Sequence, residues 1–548
     1  MKKKLLATLL SASMVLGIVA CGSTSGDSNS TGSDSTAKTE TTTTSSDTTT
    51  TGTDAASSDA AAAIDTSEHV VVTYMTTGGA PEGNMTEEML NQLNAILTEK
   101  VNAELEIYYI DWTDYLSNYN LTLARMDGTV DLVGTASDWL DAWPNAKNGA
   151  FLELSEDMLK TYAPKTWESV SPEHWDLCKY NGEIYLMPED NYAQWTNHGY
   201  AYRLDWAKEA GLANGVHSWE DLTTYFKYVK ETYPDVIPWD SDGTQYGQMV
   251  SGWIESHSQY VPIDGINSGA MWGGTKDDLY TVYSPYVTDT DSLVEFAKLM
   301  KEWDEIGVWK TDVLNNTSSD NREDFRVGKT AAEQHHTQTW TDLCSPGHTN
   351  NTIFADDEDA EVGFFYFGEE TSNVTALSIT HGAMAVSAAS KNPERALMVY
   401  DLIRNDADCY KLFNYGIEGV QYNVNADGLR ETVADADAIV TNYWWGRNDD
   451  LELRDATMNW DTIDKLYKEY DDIKIEYPYG QFIPNVDSIS TQIDQINEIH
   501  TNYMKQIAFG KYSGTAEEIV AEYQQALKDA GIDDVTAELQ KQIDELYK

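Results

Sequence analysis

Between residues 69 and 133 the apolar pattern alternates between strand and helix periods, and this alternation narrows the available folds more than any other feature of the chain. His69 to Met75 has a strand pattern, followed by the Gly-rich turn Gly78-Gly79-Ala80-Pro81-Glu82-Gly83. Asn84, with Glu87 three residues on, predicts a capping box that starts a helix. Met89, Leu93, Ile96, Leu97 and Lys100 continue it at helical spacing. Leu105 to Ile110 reads as a second strand, the segment from Tyr115 to Arg125 as a second helix, and Asp131-Leu132-Val133 as a third strand. Strands and helices in this order predict a parallel α/β sheet. Ligands of such sheets sit beyond the carboxyl ends of the strands. Thr76 to Gly83, Asp111-Trp112 and Thr135 to Trp139 occupy those ends, which makes Gly78, Gly79, Trp112 and Trp139 candidate binding residues.

Further helices are marked by Asn392-Pro393-Glu394, a cap with a first-turn Pro, and by the stripe Leu293, Phe296, Ala297, Met300 and Trp303. Thr515 with Glu518 predicts another capping box. No internal period of 20–50 residues is visible, which excludes solenoids and propellers.

The start of the chain predicts export. Lys2, Lys3 and Lys4 precede an uncharged apolar run from Leu5 to Ala20, shorter than the ~20 residues of a membrane-spanning helix. Ile18-Val19-Ala20-Cys21 resembles a bacterial lipobox, so residues 1–20 are expected to be a signal peptide and Cys21 the lipidated (palmitate-bearing) first residue of the mature chain. From 22 to about 66 the residues are mostly Ser, Thr, Gly, Asp and Ala, with no aromatic and nothing larger than Ile64 among the apolar ones, too polar to bury a core. That stretch reads as a disordered tether spanning roughly 35 Å root-mean-square. The protein is thus expected at the outer face of the bacterial cytoplasmic membrane, held by a lipid. The remaining Cys178, Cys344 and Cys409 form no metal spacing and allow at most one disulfide. A formal net charge of −55 argues against nucleic acid as a partner.

Several stretches together resemble the extracellular solute-binding proteins, family 1, in their larger lipoprotein branch. These are Leu123-Ala124 with Asp127-Gly128-Thr129-Val130-Asp131-Leu132, the run from Tyr180 to Pro188, Tyr202-Arg203-Leu204-Asp205-Trp206 with Ala210-Gly211-Leu212, Ser218-Trp219-Glu220-Asp221-Leu222, Phe325 to Ala332, and Asn414 to Tyr422. They follow the family's order and cover nearly all of 69 to 430. The resemblance implies an α/β, two-lobe periplasmic-binding-protein-like type II fold with a hinge and an interlobe cleft. It divides the chain into 68–190 with about 376–430 as one lobe, and 191–375 with about 431–548 as the other. It also implies a monomeric, non-enzymatic binding component of an ABC importer, working with membrane permease subunits. Some relatives carry an EF-hand-like calcium loop where this chain has Trp239 to Gly247. Only Asp240 and Asp242 remain there as ligands, with no closing bidentate acid, so calcium is the one cofactor weighed and none is assigned.

The cleft's contents are suggested by 17 Trp and 33 Tyr. Indole faces suit the C–H faces of sugar rings, and acids and amides bond the hydroxyls. Most such rings serve cores, so the candidates are those in loops or beside polar clusters: Trp112, Trp139, Trp195, Trp253, Trp272, Trp340, Trp444 and Trp445. Polar candidates are Asn191 and Gln194 beside Trp195, His335 and His336 ahead of Trp340, Glu418, and Arg447 after Trp444-Trp445. A carbohydrate or oligosaccharide is the expected ligand. A secreted glycosidase stays open as an alternative, because 91 acids supply carboxylate pairs by chance. So does a non-transporting sugar sensor or adhesin with the same fold.

Overall fold

Strand β1 (Val70–Thr77) is buried on both faces from Tyr74 onward, as a central parallel strand must be. A computed structural model describes residues 64–189, 198–266, 268–316, 321–347, 351–434 and 436–548, with 65–548 as one unit. The signal segment, Cys21, the tether up to residue 63, and Asn191, Gln194 and Trp195 lie outside the described residues. In chain order the other strands of the three larger sheets are β2 (Ala103–Ile110), β3 (Leu132–Thr135), β4 (Met187–Pro188), β5 (His198–Arg203), β6 (Tyr260–Pro262), β7 (Gly273–Thr275), β8 (Asp278–Tyr283), β9 (Ala332–His336), β10 (Val362–Tyr366) and β11 (Ala383–Val386).

The first sheet has the order β2-β1-β3-β11-β4. β1 runs parallel to β2 with Val70 opposite Ala103, and parallel to β3 with Tyr74 opposite Leu132, while β11 is antiparallel to both its neighbours. The helix Met85–Val101 crosses between β1 and β2, burying Met89, Leu93 and Leu97. It stops at Asn102, which turns left-handed at φ 49° and donates to the Thr98 carbonyl. At its start the expected capping box does not form. Asn84 has helical angles, so its side chain points away from the free N–H groups and donates to Glu88 at 2.7 Å.

A second core surrounds the antiparallel sheet β9-β5-β10 and the sheet β8-β7-β6. Ser218 caps the helix Trp219–Thr232 by accepting from Asp221 N at 3.0 Å. The stripe Leu293, Phe296, Ala297, Met300 and Trp303 is buried in the helix Thr290–Ile306. The three last helices, Ser490–Ala508, Ala516–Asp529 and Ile532–Tyr547, close this core with Ile496, Tyr523 and Leu539. The Thr515–Glu518 capping box is formed in both directions.

The first core takes in Tyr443 and Trp445, so the segment around them, read from sequence as part of the second lobe, packs with the first sheet. Residues 477–484 touch both cores. Tyr479 OH accepts from Gly274 N and donates to Leu279 O, whereas Gly480 O accepts from Trp143 Nε1 at 2.9 Å and Ile483 packs on the first core. Cys178, Cys344 and Cys409 are all buried, and Cys344 and Cys409 are free thiols. Among the described residues no helix is long and apolar enough to cross a membrane.

Candidate functional site

The carboxyl ends of β1, β2 and β3 carry a bank of indoles. Trp112 follows β2, Trp139 follows β3, and Trp444 and Trp445 arrive on the chain that crosses these ends. Trp139 stacks on Trp445 at 5.5 Å and 26°, and on Trp112 at 6.2 Å and 28°. Trp112 stacks in turn on Trp444 at 5.9 Å and 23°. Trp445 is buried as the floor, and the other three are half-buried. Gly134 of β3 gives Trp445 its space: a Cβ there would stand 2.5 Å from Cδ1 and Cε2 of the ring. The crossing chain is tied down through the Asn442 carbonyl, which accepts from Thr76 Oγ1 at 2.7 Å and from Tyr74 OH at 3.0 Å. Gly78, at φ 122°, lets the chain turn beneath Asn442, whose Cγ would be 2.9 Å from any Cβ. Gly79 is exposed at the same turn.

Beside this platform lies a cavity of about 190 Å³ lined from both cores. Ser137, Asp138, Asp141 and His381 come from the first, and Asp264 and Tyr477 from the second side. His381 Nδ1 lies 2.8 Å from Asp138 Oδ2, and Tyr477 OH accepts from Asp264 N at 2.7 Å. The cavity adjoins the platform at two points, where Asp138 precedes Trp139 and where Gly382, next to His381, lies under the Trp444 carbonyl.

Carboxylates dominate the electrostatics. Desolvation pushes Asp264 up to about 6, with Asp138 adding to it, while Tyr477 and His381 oppose. Desolvation likewise raises Glu189 to about 7 against the Arg447 backbone N–H, which bonds Glu189 Oε1 at 3.1 Å. Burial works against a charged His381, yet Asp138, Glu189 and Asp264 together hold its pKa above the ordinary value. Flat indole faces beside hydroxyl-accepting carboxylates suit a sugar.

The remaining expected residues are elsewhere. Trp253 and Trp272 are in the second core, their N–H groups satisfied by Ser292 and by Thr536 at 2.9 Å. Trp340 is buried against Phe364 at 5.5 Å. All three rings are buried, and Trp253 has one face stacked on His257 at 3.7 Å. His335 and His336 meet His198 across the β5–β9 pairing. Burial lowers His198 to about 3 and His336 to about 4, so the trio is neutral at pH 7. Glu418 is exposed on a turn. Arg447 pairs with Glu452, which also accepts from Tyr410 and Tyr415. Asp240 Oδ2 accepts from Lys310 at 2.7 Å, and Asp242 bonds the N–H of Thr244 in its own turn. No set of three metal-ligating side chains occurs among the described residues. Reading the sequence missed His381, Asp138, Asp264 and Tyr477. Only Asp138, next to Trp139 at a strand end, carried a local signal.

Comparison with known proteins places these features in context. The sequence model of a family described as bacterial extracellular solute-binding protein matches residues 92–409. A domain of unknown function, DUF3502, matches residues 478–548. A protein of Streptococcus pneumoniae serotype 4 named carbohydrate ABC transporter substrate-binding protein is 23% identical over 564 residues, covering 100% of this chain and 99% of its own length. The crystal structure of the N-glycan transport solute binding protein from Streptococcus pneumoniae is similar, with a TM-score of 0.65 at 20% identity, over 87% of this chain and 99% of that one. An HMO binding, ABC-transporter associated solute binding protein from Bifidobacterium longum infantis gives a TM-score of 0.62 at 15% identity, over 88% and 99%. The likeness is one of fold: two α/β lobes.

Proposed function

This chain belongs to the bacterial extracellular solute-binding proteins, and from that premise we propose that it captures a carbohydrate or oligosaccharide for an ABC importer and releases it chemically unchanged. The observation that carries the ligand class is the indole bank adjoining a carboxylate-lined cavity shared by the two cores. Relatives named for carbohydrate transport, N-glycan transport and HMO binding support it. The ligand lies against the half-buried indoles Trp112, Trp139 and Trp444, with its hydroxyls toward Asp138, Asp264 and His381. Closure of the lobes completes the site, because a state that contacts the guest from both sides is favoured by binding. Cys21 carries the lipid, the segment to residue 63 is the tether, shorter than the 67 expected because Arg395 and Asn102 bond the carbonyls of Asp65 and Thr66, and the mature protein works as a monomer with permease subunits.

The test is calorimetry and thermal shift of the mature chain against a panel of neutral oligosaccharides, with the sugars recovered and sized. The expected result is a raised melting temperature with one or more glycans and full recovery of the starting sugar. Shortened products would establish a hydrolase instead, and a panel without a single binder would remove the carbohydrate assignment. Incorporation of labelled palmitate that is lost in Cys21→Ala checks the anchor.

A further inference from the structure

The cavity has a one-sided charge. Asp138, Asp141 and Asp264 line it, and among the described lining residues the only base is His381, already paired with Asp138. Glu189 and Glu255 add to the negative charge, Glu189 acting on His381 and Asp264 on Glu255. The two guanidinium groups that act on Glu189 have other partners: Arg447 pairs with Glu452, and Arg404, fully buried, donates to the Pro188 carbonyl at 2.6 Å. The sequence of residues 190–197 contains no Lys or Arg.

We infer that this cavity selects by charge, accepting sugar units that are neutral or carry a free amine and rejecting units that carry a carboxylate. The inference deepens the proposed carbohydrate site and rests on it. A hydroxyl or ammonium between the lobes donates to Asp138 on one side and Asp264 on the other. A sugar carboxylate in the same place meets like charges from both lobes, and His381, the one base among the described lining residues, is already bonded to Asp138. Rejection of this kind comes from a repulsive element, and neutral ligands need no special contact to benefit. Burial is the main cause of the rise of Asp264 to about 6, and the Asp138 carboxylate adds to it.

Two matched pairs test it on the mature chain by calorimetry at pH 7.5: lacto-N-tetraose against its sialylated form, and the N-acetylglucosamine trimer against the glucosamine trimer. Sialylation is expected to weaken binding roughly tenfold or more, whereas removal of the acetyl groups leaves affinity equal or higher. Asp264→Asn should shrink the sialylation penalty several-fold, and Asp138→Asn provides a second, independent reading of the same ratio. Equal or tighter binding of the sialylated sugar, or a ratio that neither variant changes, overturns the inference while leaving the carbohydrate site standing. Failure of all four sugars to bind counts against that site, and the charge inference falls with it.

Discussion

Adding one methyl group to Gly134 tests the indole bank from beneath. Gly134 has no left-handed φ and pairs with Met384 in the sheet, so Gly134→Ala strains no backbone. The new Cβ would lie 2.5 Å from two carbons of the Trp445 indole. That ring is 1% exposed, bonded to Thr76 Oγ1 at 3.3 Å and stacked on Trp139, so it has nowhere to retreat. Overpacking of this sort costs about 1–3 kcal/mol. In a cooperative unit of about 250 residues, an unfolding entropy near 0.5 kcal/mol/K turns 2 kcal/mol into roughly 4 °C of melting temperature. The displaced ring pushes Trp139, which pushes Trp112, so the upper surface loses its shape as well. A fraction of the ~1–3 kcal/mol carried by a buried aromatic anchor, about 1 kcal/mol, corresponds to roughly fivefold weaker ligand binding. Urea titration should show a lower midpoint at unchanged slope, and calorimetry the weaker binding. Gly79→Ala is the control, since a Cβ there meets nothing within 4 Å and should change stability by less than about 0.5 kcal/mol. A Gly134→Ala protein with native stability and native affinity would refute both the packing of Trp445 and its part in the site.

Glu189 gives a pH test. Its ordinary value of 4.5 rises to about 7 in the fold, so the native state keeps a proton that the unfolded chain releases. Stability from this group is therefore complete below about 4.5 and is lost as pH rises toward 7. Glu189→Gln retains the acceptor for Arg447 N, removes that decline, and should exceed the parent above pH 7.5 by on the order of 2 kcal/mol; parallel melting curves for the two would contradict it. Trp272→Ala should cost about 3–5 kcal/mol in urea unfolding as a core truncation. Trp112→Ala, half-buried at the site, should instead weaken glycan affinity by about 1–3 kcal/mol, and the reverse pattern would exchange their roles. Thr515→Ala breaks a formed capping box and should lower the unfolding free energy by about 1 kcal/mol, with no change meaning the helix end is held otherwise.

The strand ends were legible because they depend on local period alone. β1, β2 and β3 begin or end within a few residues of the expected places, and Trp112 and Trp139 follow from the rule that ligands sit past such ends. Trp272 was misread for a physical reason that no local window contains. Its N–H finds Thr536 across 264 residues, and that hydroxyl makes a loop indole a comfortable core residue. The same distance hides the cavity: Tyr477 reaches Asp264 from 213 residues away, and His381 meets Asp138 from 243. Adjacent Trp444 and Trp445 looked equivalent, yet Gly134 admits only the second beneath the stack. The Asn84–Glu87 box satisfied the sequence rule and failed on backbone angle, at φ −96° and ψ −1°, where an extended cap is needed.

How the site is divided between the cores says which step each residue governs. The four indoles ride on the first sheet, whereas Asp264 and Tyr477 belong to the β6–β7 turn and the segment that leads into the last helices. On the proposed site a guest would meet the indoles of one lobe and Asp264 with Tyr477 of the other. Trp112→Ala or Trp139→Ala is then expected to slow association and Asp264→Asn to speed dissociation in stopped-flow kinetics, and equal effects on both rates would refute the division. The segment 477–484 stands at the side of this division, bonded to the second core through Tyr479 and to the first through Trp143 and Ile483. Lobes that part must swing about that segment or break the Trp143–Gly480 bond. The match to the domain of unknown function begins at residue 478, inside this bridging segment.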